Sequence, residues 1–555
     1  MADGIILLIL LPFFGSLLCL LNKFFPNIRF ARYISIGCLL LCLAILARLF
    51  PLVAAGESVP YHVGGWQEPI GITLYIGPLS WITSLIGMLI TLLVLVFSLG
   101  EKAYSYHFYF LFLMMVAGME GVVLTGDLFN MFVFIEILSI TTYILIAYTG
   151  EKLSLMASLK YLLLSSLSIG FSLIGILIFY RMTGTLSLKL IAQRLPSLPA
   201  ADPSTVFAAV AFIAGVGVKA AFIPFHTWLP DAHAHAPHPV SAVLSGVMIK
   251  VSFIVIWRIV KTLDLSALQT ILLWTGAVTA VLGAIWAFSQ IDTKKILAFH
   301  SVSQMGFIVA SFGVGTSVAL TASLYHILNH ALFKSLLFLS VGSVIHATGE
   351  REVYRLKGLG GKMPLLFACY LIGVFSICGI PPFNGYTSKS LISIGMKDTP
   401  HPYLFIYLAG IGTVASFCKL SSIFFRGKTL AADPQVCKDL QIRNRPSFTM
   451  ILSISLLSVL CLGTGLAHRF WISVLSFFTE GESLGTIPSV YTVYQSISTV
   501  ITVVTGVALY LVMRTKRGGT VLYNIRSIRF GLESSLYLFV VGFLLFAVLS
   551  WVLLA

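Results

Sequence analysis

"AFIPFHTWLPDAHAHAPHPVSAVLSGVMIKVS", residues 221–252, gathers His226, His233, His235 and His238 around Asp231 and places prolines at 224, 230, 237 and 239. Lys219 lies just before it and Lys250 inside it, each in an otherwise apolar run. Three readings compete for the stretch: a metal site, an exposed loop, or a bent connection between lysines held at membrane depth. The rest of the chain weighs on the choice.

The 555 residues are 58% hydrophobic and 10% charged, with a mean hydropathy of +0.99. Soluble domains carry roughly a quarter charged residues, so this is the composition of an integral membrane protein. Apolar runs of about 20 residues, enough to cross a hydrocarbon core of roughly 30 Å, recur from the first near residues 4–22 to the last near 533–554. About sixteen transmembrane helices are expected. The runs lack the alternation of a membrane barrel, so the fold class is an all-α polytopic membrane protein. The first run, "GIILLILLPFFGSLLCLLN", follows Asp3 rather than a basic leader and has no small-residue cleavage site, so it reads as the first span.

The net charge of +15 raises the question of nucleic acid. Placement answers it. Of the 35 Lys and Arg, about 22 fall in loops on one side of the expected topology and about 8 on the other, while Lys219, Lys250, Lys334, Lys389 and Lys419 lie within spans. This is the positive-inside asymmetry, and it puts both termini outside the cell (cytoplasmic) membrane. No nucleic-acid partner is implied. The cysteines (Cys19, Cys38, Cys42, Cys369, Cys378, Cys418, Cys437 and Cys461) form no C-x-x-C pair, so iron–sulfur and zinc ligation lack a framework. Neither a dinucleotide nor a P-loop fingerprint occurs. No cofactor, metal or catalytic residue is assigned to this chain, and any electron transfer belongs to another subunit.

A charge at bilayer depth costs several kcal/mol and marks a pathway or an ion site. Glu136 sits in "LFNMFVFIEILSITTYILI", Lys219 in "FIAGVGVKAAFIPF", Lys250 in "SGVMIKVSFIVI", Lys334 in "HALFKSLLFL" and Lys389 in "GIPPFNGYTSKSLISIG". One such residue could be a structural pair or could snorkel from a helix end; five in separate spans point to a pathway. Pro224 follows Lys219, and Pro381, Pro382 and Gly385 precede Lys389. Proline breaks the helical ladder, and a broken membrane helix persists only where protein or water satisfies the freed groups. Two broken, lysine-bearing helices in corresponding halves are the pointer to a transporter built of inverted repeats. The expected organisation is N-terminal helices over 1–105, one repeat over 106–262, a second over 263–428, and C-terminal helices over 429–555 that contact other subunits.

In "LYHILNHALFKSLLFL", His326, His330 and Lys334 are spaced by four and share a helix face. H-x-x-x-H can bind a metal, but a lysine one turn on repels a cation, and titratable groups one turn apart suit proton hopping. For the opening stretch, H-x-H with a carboxylate could hold zinc. No thiolate accompanies it, however, and imidazoles titrating near neutrality suit a proton intake vestibule of His226, Asp231, His233, His235 and His238 feeding Lys219 or Lys250. Opposite charges about 6 Å apart at an effective dielectric near 20 interact by roughly 3 kcal/mol, so a Glu136–Lys219 pair would act as a switch on the lysine's proton.

At "KAAFIPFHTWLPDAHAHAPHPVSAVLSGVMIKVS" the chain resembles the antiporter-like membrane subunits shared by respiratory complex I, membrane-bound hydrogenases and formate hydrogenlyases, and Mrp-type sodium/proton antiporters. "GDLFNMFVFIEILSI", "DTKKILAFHSVSQMG", "HILNHALFKSLLFLSVGSV" and "GIPPFNGYTSKSLI" extend the likeness over about residues 115–425, with wording most similar to the D-type polypeptide of Mrp antiporters and the equivalent hydrogenase subunits. The resemblance implies two inverted five-helix repeats with the seventh and twelfth helices broken. It implies a proton relay of Glu136, Lys219 and Lys250 in the first half, and of His326, His330, Lys334 and Lys389 in the second. The family core has about fourteen helices; two more are expected here, joined by "RTKRGGTVLYNIRSIRFG", too short for the long lateral helix of one complex I subunit type.

The resulting expectation is a proton-translocating, or Na+/H+-translocating, subunit with other membrane subunits as partners. It is either driven by a redox module of the complex I or hydrogenase type, or is part of an Mrp-type cation/proton antiporter. A self-sufficient secondary transporter of a cation or small solute is the alternative, and would need a substrate pocket beyond the ionisable chain.

Overall fold

Lipid offers no hydrogen bonds, so a chain this apolar must pair its backbone within helices. The structure, a computed structural model, describes residues 3–25, 30–101, 104–197, 203–263, 266–425, 442–480 and 488–554; Cys437 and the boundary expected at 428 lie outside them. Fifteen of its helices are long and apolar enough to cross a membrane.

The N-terminal part runs through α1 (Asp3–Leu20), α2 (Phe30–Ala54), α3 (Pro78–Ser98), α4 (Tyr106–Leu124), α5 (Leu128–Ile146) and α6 (Lys152–Thr183). After the short α7 (Leu188–Arg194), α8 (Pro203–Ala220) and α9 (Leu229–His235) are separated by a turn. The next span has three parts: α10 (His238–Val243), a π-helical segment Leu244–Met248, and α11 (Ile249–Leu263). There follow α12 (Ser266–Ser289), α13 (Thr293–Val314), α14 (Ser317–Thr348), the one-turn α15 (Leu359–Lys362), the pair α16 (Pro364–Cys378) and α17 (Asn384–Gly395), and α18 (Pro400–Ser421). The chain closes with α19 (Phe448–Leu466), the amphipathic α20 (His468–Glu480), α21 (Val493–Met513), α22 (Lys516–Ser527) and α23 (Leu532–Leu554). One exception to the helical expectation occurs between α2 and α3, where β1 (Val59–His62) pairs antiparallel with β2 (Thr73–Ile76).

Both breaks have a physical cause. α8 ends directly after Lys219 because Ala221 adopts φ +55°, a left-handed conformation that costs a non-glycine residue about 1 kcal/mol or more. Groups freed at the break find other partners: Ile223 N–H donates to Thr279 Oγ1 (3.1 Å), Phe225 N–H to Phe222 O (2.7 Å), and Trp228 Nε1 to Val218 O (2.6 Å). α16 ends at Gly379, φ +74°, whose N–H and that of Ile380 return to Ser376 O and Phe375 O. Across this second break Asn329 Nδ2 donates to Asn384 O (3.0 Å).

Several local features occur in both halves at the same spacing. Asp127 caps α5 by accepting from Asn130 N–H, and Asp292 caps α13 by accepting from Lys295 N–H. α6 and α14 each have 32 residues and end at a left-handed glycine, Gly184 and Gly349, each 57 positions after its capping aspartate. Asp127 then bridges to Ser187 and Asp292 to Glu352, each three residues past that glycine.

Burial is concentrated on an inner axis. The spans holding α10–α11 and α13 are fully enclosed, and that of α14 nearly so, whereas α21 is almost bare. The last helix also packs within the chain. α23 lies on α8 of the same chain, its Phe539 and Phe546 packing on Phe225 beside the break. Gly542 permits this approach, since a Cβ there would sit 2.1 Å from Pro224 Cγ.

Candidate functional site

Glu136 is half-buried on α5, and its Oε1 has no protein hydrogen-bond partner. Lys219, at the end of α8, donates to Ser139 Oγ (2.7 Å) on α5 and to Ser165 Oγ on α6, with Tyr161's ring centroid 5.1 Å away. Among the described residues no Glu136–Lys219 ion pair forms within 4.0 Å, yet each lies within the other's field. The hydroxyls solvate the ammonium while the carboxylate acts through space.

Lys250 follows the π segment, where the backbone no longer holds every carbonyl in an α ladder, and its Nζ donates to Ser245 O. Ser245 Oγ in turn meets Ser301 Oγ at 2.7 Å. On α14, His326, His330 and Lys334 are all completely buried. The two imidazoles are parallel, 6.1 Å between centroids and 8° between planes. His326 is held by Gln304 Oε1 (3.1 Å) and Ser388 Oγ (3.0 Å), while neither nitrogen of His330 has a protein partner. Lys334 donates to Leu297 O (2.6 Å). Lys389 donates to Ile377 O (2.6 Å) across the second break and borders a cavity of about 70 Å³ shared with Tyr386, Ser390, Tyr403 and Gln495.

Lys250, His330, Lys334, His326 and Lys389 thus form one electrostatically connected group. Glu136 and Lys219 form another. No hydrogen bond joins Lys219 to Lys250 among the described residues.

The residues of the opening stretch separate instead of forming one vestibule. Asp231 is clamped between Lys160 (3.0 Å) and Lys295 (3.3 Å), and Lys160 also donates to Phe530 O (2.7 Å). His226 is buried, stacked on Trp286 at 5.2 Å, and His233 is buried against Phe338 at 4.7 Å. His235 and His238 are half-buried. Aromatic packing encloses His226 and His233, whereas His235 and His238 keep partial exposure. Among the described residues no group of three His, Cys, Asp or Glu is arranged to hold a metal.

Four buried groups were missed by the sequence reading. Lys294 donates to Ala236 O (2.6 Å) and Ser241 Oγ (3.0 Å), and its charge reaches His233, as do those of Lys250 and Lys334. Glu101, between α3 and α4, is buried; burial raises its pKa, against a hydrogen bond from Tyr104 and the nearby His346 and Lys294. His300 is enclosed on α13, facing Phe417. Glu120 on α4 accepts from Ser84 Oγ at 2.6 Å. Glu120 had a signal, a lone carboxylate in "FLMMVAGMEGVVL"; Lys294 and Glu101 stand at helix ends, where a charge looks solvated.

A helical membrane protein that carries Glu136, Lys219, Lys250, His326, His330, Lys334 and Lys389 within its spans, two of them broken beside Lys219 and Lys389, belongs to the class of ion-translocating membrane proteins. The family described as "NADH:quinone oxidoreductase/Mrp antiporter, TM" matches residues 125–416, and the chain belongs to it. It is 36% identical over 412 residues to the N polypeptide of the NADH-quinone oxidoreductase of Desulforudis audaxviator, covering 71% of this chain and 80% of that one. It is 31% identical over 448 residues to the D polypeptide of the Na(+)/H(+) antiporter of Alkalihalophilus pseudofirmus, covering 78% and 89%. Among solved structures, a chain of the Mrp complex from Dietzia sp. DQ12-45-1b shares the fold with a TM-score of 0.78 at 24% identity, covering 90% of this chain and 99% of that one. A chain of the archaeal membrane-bound sulfane sulfur reductase gives 0.79 at 26%, covering 91% and 100%.

Proposed function

We propose that this chain is the proton-translocating, antiporter-like subunit of a multisubunit membrane complex, and that the proton path runs through Glu136, Lys219, Lys250, His330, His326, Lys334 and Lys389. The observation that carries the reading is the enclosure of Lys250, His326, His330 and Lys334 at 3% exposure or less, in a place where only a pathway justifies the desolvation cost. The partnerless nitrogens of His330 support water as the link, since buried polar atoms that lack protein partners are satisfied by ordered water. Two neighbouring ammonium groups away from bulk water repel each other. A proton arriving at Lys250 therefore favours departure from Lys334, and the pair titrates as a unit. Glu136 biases Lys219 through space, so a competing cation near Glu136 would loosen the lysine's proton.

The matching caps, the 57-position spacing and the paired bridges support two five-helix repeats over 106–262 and 263–428, inverted with respect to each other. In this reading α16 and α17 together make the twelfth of sixteen crossings. Both termini lie outside, because the basic loops mark the cytoplasmic side. His233 and Lys294 lie between that side and Lys334, which makes them the intake candidates that remain from the opening stretch. The relatives' names include both a quinone oxidoreductase and a Na(+)/H(+) antiporter, so the coupling partner is a redox module or a sodium gradient. The test is proton movement in vesicles carrying the whole complex, with and without sodium. Glu136→Gln or Lys219→Ala should abolish it without loss of assembly, and transport by an assembled Lys219→Ala complex at the native rate would overturn the relay.

A further inference from the structure

One buried lysine has no part in the relay. Lys419, at the end of α18, is 3% exposed and donates to Phe288 O and, at 2.6 Å, to Gln290 O at the end of α12. It forms the floor of a cavity of about 360 Å³ whose walls also carry Arg514 and Arg526, and no carboxylate lines it among the described residues. Arg514 rests over Tyr510 at 5.6 Å and Arg526 over Tyr523 at 5.5 Å, so both guanidinium planes are positioned by rings. The hydroxyl of Tyr354 shares the space and lies within the fields of both arginines.

Lys357 lines the cavity as well, and four cations around a cavity whose described lining holds no carboxylate call for an anion. The setting specifies which kind. α12, α18 and α21 all end at this cavity, so it sits at the membrane boundary, roofed by the amphipathic α22. Met513, Leu522 and Phe288 add an apolar wall. Below it, α21 is almost bare, showing Leu511, Val507, Val504 and Val500 on the way to the bilayer interior. An anionic headgroup above and an open apolar stripe beneath match an amphiphile.

We propose that this cavity binds the phosphate of an anionic phospholipid, with Lys419, Arg514 and Arg526 on the phosphate oxygens and the acyl chains along α21. Arginine forks suit phosphate oxygens, and a basic pocket at the boundary on the positively charged side is where anionic lipids are recognised. The bound lipid would tie α21 and α22 to the ends of α12 and α18.

The test is native mass spectrometry, together with thermal unfolding, of the full chain in its complex, titrated with phosphatidylglycerol, phosphatidylcholine or inorganic phosphate. Phosphatidylglycerol should remain bound and raise the melting temperature, and R514Q/R526Q should reduce its retention at least fivefold. R514K/R526K, which keeps the charges, should recover most of it and guards against a mere folding defect. Equal retention of phosphatidylcholine, or no loss in R514Q/R526Q, would overturn the site. Stabilisation by millimolar inorganic phosphate alone equal to that by phosphatidylglycerol would replace the lipid with a free anion and overturn the proposal in that form.

Discussion

Lys219 keeps its ammonium in the membrane interior through two hydroxyls on different helices. Hydrogen bonds to a charged group contribute about 1.5–3 kcal/mol each, so Ser139→Ala/Ser165→Ala should lower the stability of the complex by about 3 kcal/mol in chemical unfolding and slow proton transport. Ser165→Ala alone should do less of both. Glu101 offers a pH test. Burial raises its pKa in the folded protein, so its carboxyl loses stability as pH rises from the ordinary carboxylate value toward the raised one. Glu101→Gln should therefore melt above wild type at neutral pH and level with it in acid; parallel curves across pH would refute this. The charges within the spans were legible because a charge inside twenty apolar residues has no cheap explanation. Their partners were not, because Ser139 and Ser165 look like any other serine until the fold brings them to Lys219. The surroundings of His226 and His233 were hidden as well, because Trp286 and Phe338, the rings stacked on them, lie far along the chain.

The broken spans decide matters at the level of elements. Gly385 lets α17 start against α16, since a Cβ there would stand 1.7 Å from Ser376 O, a backbone atom that cannot move aside. Gly385→Ala should cost about 3 kcal/mol or more and prevent assembly, read as loss of the complex on size exclusion; normal assembly would show that the break is softer than its geometry. The prolines announced both interruptions, whereas the left-handed Ala221 that ends α8 carried no signal. A shift of 165 positions matches the capping Asp127 with the capping Asp292, and the same shift matches Tyr161 with His326 and Ser165 with His330 in number. The sequence around the two caps differs enough that this correspondence is faint.

Across the whole molecule, the charges form two groups, one around Lys219 and one from Lys250 to Lys389, and the proposed relay requires them to communicate. Composition was enough to establish a multi-pass helical membrane protein. It could not reveal that α23 would fold back over the break at Pro224, because that contact depends on Gly542 meeting a distant turn. The most direct measurement is proton uptake by sealed vesicles containing the whole complex, comparing wild type with Lys219→Ala at equal assembly. The relay predicts that uptake disappears in the variant while every subunit remains. Undiminished uptake would mean that protons cross by a route that does not pass through Lys219.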